Sequence, residues 1–209
     1  MEQLMQAPVA AVIFVITIIT SLIAFSNQNL YGKLMLHPYN VSRGRHVYTI
    51  ITSGFIHKDL MHLFFNMMSY YFFAFQLEPV LGHLQFGVLY MLSLVLSDMP
   101  SVVKHKEDYS YYSLGASGAV SAVVFSAILY NPLNGMMIMP IPVSIPAVIF
   151  GVLYLVYCSY ATKYARDNIN HDAHFYGALS GLMITILFHP GVLIGFFHQI
   201  SEKVQSMMH

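Results

Sequence analysis

The sequence predicts an all-α membrane protein, a single domain built as a bundle of six transmembrane helices. Three observations carry that reading. Of 209 residues, 57% are hydrophobic and only 9% are charged, against about 25% charged in an ordinary soluble domain. Mean hydropathy is +0.63. The apolar residues also gather into six stretches, roughly 8–25, 60–81, 84–96, 114–130, 145–160 and 173–188. A spanning helix needs about 17–25 residues, so the third and sixth stretches must borrow neighbours or end below the interface.

The first stretch follows no Lys or Arg and no A-x-A-like cleavage site, and reads as a retained helix rather than a signal peptide. The connection 26–59 mixes Tyr31, Leu34, Met35, Tyr39, Tyr48 and Phe55 with Arg43, Arg45 and Lys58. It is too apolar for a free linker and too broken for a span, which predicts a membrane-surface structure. The turn after Leu81 is very short. Loops 97–113 and 161–172 carry most of the other charges, and 131–144 is uncharged and proline-rich. After His189-Pro190 a short apolar tail, 190–209, either extends the sixth helix past a kink or lies in the interface. Nine Lys+Arg balance nine Asp+Glu, leaving no basic surface for nucleic acid. The one cysteine, Cys158, excludes an internal disulfide and a multi-cysteine metal site. It reads as a small packing residue.

Parity adds geometry. The second, fourth and sixth helices run in one direction, so their N-terminal ends share one face of the membrane. His62, Ser117 and His174 each fall near those ends. Ala173, Gly177 and Gly181 repeat at intervals of four on the sixth helix, and Gly115 and Gly118 belong to a run of small residues on the fourth. Such faces let backbones approach closely in lipid, which brings Ser117 within reach of His174.

A serine hydroxyl is a weak nucleophile until a base takes its proton. Ser117 alone reads as a packing or capping residue; paired with His174, the candidate general base, it reads as a nucleophile. Asp172 lies on a different helix face from His174 and is expected to N-cap the sixth helix, so a dyad is expected rather than a triad. His62 and Asn66, four apart on one face, and the Ser117 backbone N–H are candidate donors to an oxyanion. Other protease chemistries fit poorly. There is no H-E-x-x-H zinc motif, His171 and His174 lack an obvious third ligand, and no Asp is expected mid-helix. No metal and no cofactor is expected.

Taken together, His62-x-x-x-Asn66, Gly115-x-Ser117-Gly118 and Ala173-His174-x-x-Gly177, in this order and in a six-segment layout, resemble the rhomboid intramembrane serine proteases. The resemblance implies the six-helix rhomboid fold and cofactor-free hydrolysis of peptide bonds in or near transmembrane segments of membrane-protein substrates. It implies Ser117 and His174 as the dyad, with His62, Asn66 and the Ser117 amide as the oxyanion site. It also implies a partly submerged first loop, a cap before the sixth helix, and a fifth helix that serves as a lateral gate. Two positions depart from the family pattern. Tyr48-Thr49 stands where a Trp-Arg pair is usual, and Ser121 stands where many members carry an aromatic that packs on the catalytic histidine.

Family topology places both termini in the cytoplasm of a bacterial inner membrane. The basic residues argue the other way: Lys33, Arg43, Arg45, Lys58, Lys104, Lys106, Lys163 and Arg166 fall on the active-site side and only Lys203 opposite. The competing functions are a non-catalytic rhomboid-like protein that routes membrane clients, which would not need both Ser117 and His174, and a transporter with a histidine proton relay. Tyr109, Tyr111 and Tyr112 read as an interfacial belt. The oligomeric state is left open.

Overall fold

The computed structural model describes residues 5–138, 141–167 and 169–208. Six long helices match the six apolar stretches: α1 (Pro8–Ser26), α5 (Leu60–Leu81), α6 (His83–Lys104), α7 (Ser117–Tyr130), α8 (Ala147–Tyr164) and α9 (His171–Phe188). Three short α-helices, α2 (Gln28–Leu34), α3 (Pro38–Val41) and α4 (Thr49–Thr52), and a 3-10 turn (Ser53–Phe55) occupy the first loop. α10 (Val192–Met208) follows α9 at a bend of 108°, beside Pro190 and Gly191. It does not continue the sixth helix. Its exposed Ile194, Phe197, Val204 and Met207 share it with Glu202 and Lys203, as in a helix lying at an interface.

By length and hydropathy α1, α6 and α8 each suffice to cross a bilayer. By the same measure α5 and α7 do not, and α9 does so only together with α10; α5, α7 and α9 carry His62, Asn66, Ser117 and His174. α7 has only 14 residues, and nearly all of it is buried inside the bundle. Exposed apolar side chains line the periphery, among them Ile16, Ile19 and Ile23 on α1 and Leu153 and Val156 on α8, as suits helices that face lipid.

Glycine sets the central contact. A Cβ on Gly177 would strike the Gly118 carbonyl oxygen, with the Gly118 Cα only 3.0 Å away. A Cβ on Gly181 would strike the Ala122 oxygen, with its Cα at 2.6 Å. α7 and α9 therefore touch backbone to backbone. Ser97 of α6 closes on Gly118 from another side. Farther along, Thr185 Oγ1 lies 2.6 Å from Ser126 Oγ, an interhelical polar contact inside the apolar core.

At the opposite end of the bundle, the wholly buried Glu78 of α5 accepts from the backbone N–H groups of Val9 (3.1 Å) and Ala10 (2.6 Å) and meets His83 Nδ1 at 2.6 Å. It supplies from a neighbouring helix the cap that α1 lacks locally.

Several expectations change. α6 runs to Lys104, past Pro100, so 97–104 is helix and Asp98 lies buried within a helix. Pro100 is tolerated near the helix end, where a missing N–H costs one bond. The connection 131–144 holds part of an antiparallel hairpin, β1 (Gly135–Ile138) paired with β2 (Ile141–Pro146); Met139 and Pro140 lie outside the described residues. Asn170, not Asp172, caps α9: its side chain accepts from the Ala173 N–H at 3.0 Å. Asp172 sits in the first turn and pairs with Lys104 at 3.0 Å.

Candidate active site

Ser117 is the first residue of α7, and the chain entering it is pinned residue by residue. Leu36 and Ser113 exchange both backbone hydrogen bonds (2.9 and 3.0 Å). The Gly115 N–H donates to the Ser53 carbonyl at 3.0 Å. The Ala116 N–H donates to His57 Nε2 at 3.4 Å. The partners in all four bonds, Leu36, Ser53 and His57, come from the first loop. That loop is a brace for the Ser117 segment, which explains why it is neither polar linker nor span.

His57 is the residue that the sequence reading missed. It has no exposed surface, and its Nδ1 lies 3.0 Å from Ser21 Oγ, which donates to the Phe55 carbonyl. With Nε2 accepting and Ser21 already donating, the Nδ1–H tautomer satisfies every partner. Burial pushes the ring's pKa down to about 3, with the neighbouring His62 adding to the effect, so His57 is neutral at pH 7. The only signal in sequence was a second histidine five residues before His62.

Gly115 adopts φ +117°, and a Cβ there would lie 2.7 Å from His62 Cε1. Glycine thus lets the loop pass over the His62 ring. Asp59 caps α5 by accepting from the His62 N–H at 2.8 Å, and His62 Nδ1 accepts from the Lys58 N–H at 3.3 Å. One Asn66 amide hydrogen is used on the His62 carbonyl at 3.0 Å; its second has no acceptor shown among the described residues. The Ser117 N–H, at the helix start, has no acceptor among the described residues.

Ser117, His174 and Asn66 line one cavity of about 760 Å³, between α5 and α8 and floored by α7. Ser121, Tyr154, Phe125 and Phe150 line it too, and it reaches β1 at Met136. His62 lies beside it rather than in its wall. Ser117 Oγ and His174 share no direct hydrogen bond among the described residues.

The His174 ring is held from an unexpected direction. Tyr154 of α8 stacks on it, with centroids 6.4 Å apart and planes 21° from parallel. The Tyr154 hydroxyl meets Ser121 Oγ at 2.9 Å. The missing aromatic at position 121 is thus replaced by one on the facing helix, which Ser121 is small and polar enough to receive. Asn170 also fixes the entry to α9, donating to Ser101 Oγ (2.8 Å) and Ser113 Oγ (3.1 Å).

The tyrosines before Ser117 do more than form a belt. Tyr111 stacks on His105 at 3.6 Å and Tyr112 on His37 at 4.3 Å, while Tyr109 meets His37 edge-on. At the departed pair, the Tyr48 hydroxyl donates to the Lys33 carbonyl (3.2 Å) and buried Thr49 donates to His46 (2.7 Å), so the loop is tied internally without tryptophan.

Residues 44–191 match the Rhomboid domain. The chain is 30% identical over 142 residues to the rhomboid-family protein YdcA of Bacillus subtilis (strain 168), covering 66% of this chain and 65% of that one. It is 25% identical over 169 residues to RHOMBOID-like protein 12, mitochondrial, of Arabidopsis thaliana (74% and 50%). It is 28% identical over 149 residues to Rhomboid protease GlpG of Yersinia pestis (strain Pestoides F) (70% and 50%). The chain therefore matches between half and two thirds of the length of these relatives. With the family domain spanning most of this sequence, the six bundle helices and the glycine-mediated meeting of α7 and α9, the chain belongs to the rhomboid family.

Proposed function

We propose that this protein is an intramembrane serine protease that cleaves transmembrane protein substrates with a Ser117–His174 dyad. The observation that carries the reading is the shared cavity: Ser117 and His174 sit on two helices locked backbone to backbone, and both face the space that Asn66 also lines. A substrate segment enters between α5 and α8. Ser117 Oγ attacks the scissile carbonyl carbon while His174 takes its proton. The resulting oxyanion receives the Ser117 N–H and the free Asn66 amide hydrogen, with His62 a third donor beside the cavity. His174 then returns the proton to the leaving amine, and water attacks the acyl-enzyme by the same route. Hydrogen bonds of this kind are often long in the free enzyme and tighten on substrate, consistent with the separated side chains here.

The same reading places the protein in a bacterial inner membrane with both termini cytoplasmic. A C-terminal reporter active on one side only tests this: an external C-terminus overturns the orientation and favours the distribution of basic residues.

The functional test is cleavage of a reporter transmembrane substrate in proteoliposomes. Wild type should cleave, and Ser117→Ala and His174→Ala should not. Equal cleavage by all three would overturn the assignment.

A further inference from the structure

The pair His171 and His174 gains a third partner in three dimensions. The Cys158 thiol of α8 and one ring nitrogen of each histidine lie within 4.8 Å of one another. Cys158 has no exposed surface and His171 is 5% exposed. His171 Nδ1 is buried with no hydrogen-bond partner among the described residues. An orphaned buried polar atom is costly and rare enough to need a reason. Its Nε2, meanwhile, faces the Asp167 carboxylate at 3.1 Å. A carboxylate behind one imidazole nitrogen, with the other left free, is the arrangement that orients histidine toward a metal and raises its basicity. One thiolate and two imidazoles form a donor set for Zn2+ and similar thiophilic d-block ions, and a poor one for Mg2+ or Ca2+.

We propose that Cys158, His171 and His174 bind a thiophilic divalent cation, with Zn2+ the best fit, and that its occupancy switches the protein off. Zn–S bonds of about 2.3 Å and Zn–N bonds of about 2.0 Å set tetrahedral ligand spacings of about 3.5 Å. The three groups must close by about 1 Å, a side-chain rotation rather than a helix movement. The Cys158 thiol loses its proton to solvent on binding, and the net charge left by one thiolate and one divalent ion faces Asp167. His174 lines the cavity, so the fourth position opens to water. Coordination occupies the lone pair with which His174 would accept the Ser117 proton. The inhibitory half of the proposal rests on the dyad reading; the binding half does not.

The test separates the two. Ser117→Ala protein, purified in detergent and stripped with chelator, is titrated with Co2+. One equivalent should give tetrahedral visible bands and a thiolate-to-cobalt charge-transfer band, both lost on adding Zn2+. Cys158→Ala should abolish the charge-transfer band, and His171→Ala should weaken binding at least about tenfold. No such band in folded protein, or equally tight Zn2+ binding by Cys158→Ala, overturns the site. In the active protein Zn2+ should stop cleavage and chelator restore it. Cys158→Ala should keep a metal-free rate within about twofold of wild type and need at least about tenfold more Zn2+. Tight binding with unimpaired cleavage overturns the inhibitory role. If wild type cleaves no substrate at all, the dyad reading fails while the cobalt titration still decides the site.

Discussion

Replacing Gly177 with alanine tests the contact on which the proposed dyad depends. The added Cβ would fall on the Gly118 carbonyl oxygen, 2.8 Å from the carbonyl carbon and 3.0 Å from Cα. Ordinary carbon–carbon contact needs about 3.5 Å. None of these atoms belongs to a side chain that can swing away, so α7 and α9 must part by about 0.5–1 Å. Overpacking of this kind typically costs about 1–3 kcal/mol. Gly118 adjoins Ser117, and Gly177 is one helical turn from His174, so the separation passes directly to the reacting groups. Misplacing them by about 1 Å is worth about 100-fold in rate. Gly177→Ala should therefore lower the thermal midpoint in detergent by several degrees and reduce single-turnover cleavage about 30- to 100-fold. Gly195→Ala, whose Cβ meets nothing within 4 Å, should leave both unchanged or raise the midpoint slightly. A Gly177→Ala protein with wild-type midpoint and rate would refute the reasoning.

Tyr154→Ala should reduce turnover about tenfold or more and shift the pH profile by freeing the His174 ring, while Tyr154→Phe, which keeps the stack and loses only the hydroxyl bond to Ser121, should retain most activity; equal loss in both variants would tie the effect to the hydroxyl instead. For His57 the fold depresses the pKa from about 6.5 to about 3, so its stabilising neutral form is fully present above about pH 6.5 and its contribution is lost as pH falls toward 3. The total is about 5 kcal/mol at about 1.36 kcal/mol per unit, and thermal midpoints measured from pH 7 to pH 4 should fall more steeply for wild type than for His57→Gln; parallel slopes would contradict the role. Glu78→Ala leaves the Val9 and Ala10 N–H groups and His83 without their shared carboxylate, and should cost about 1–3 kcal/mol of stability from the unsatisfied backbone donors, seen as a lower midpoint with cleavage per folded molecule unchanged.

Local pattern carried much of this fold. Apolar length alone marked six helices, and five residues of the candidate site (His62, Asn66, Ser117, His174 and the facing Gly177) stood in the short motifs that opened them. What escaped was whatever depends on partners distant in sequence. His57 looks like any loop histidine until the fold sets Ser21 and Ala116 against it. Glu78 caps a helix that ends some fifty residues earlier in the chain. Tyr154 reaches His174 because α8 faces α9, a relation absent from spacing. Asn170 outcompetes Asp172 as a cap because its amide can also donate to Ser101 and Ser113, which a carboxylate cannot. The extension of α6 to Lys104 was hidden by polar residues that are satisfied only in the folded bundle, Asp98 and Ser101 among them.

The central claim is that Ser117 is a nucleophile activated by His174. The most direct measurement is reaction of the purified protein with a serine-directed fluorophosphonate, followed by mass spectrometry of the modified peptide. The account predicts one adduct, on Ser117, with labelling abolished in Ser117→Ala and slowed by orders of magnitude in His174→Ala. An adduct elsewhere, or labelling at Ser117 that proceeds equally fast without His174, would contradict it.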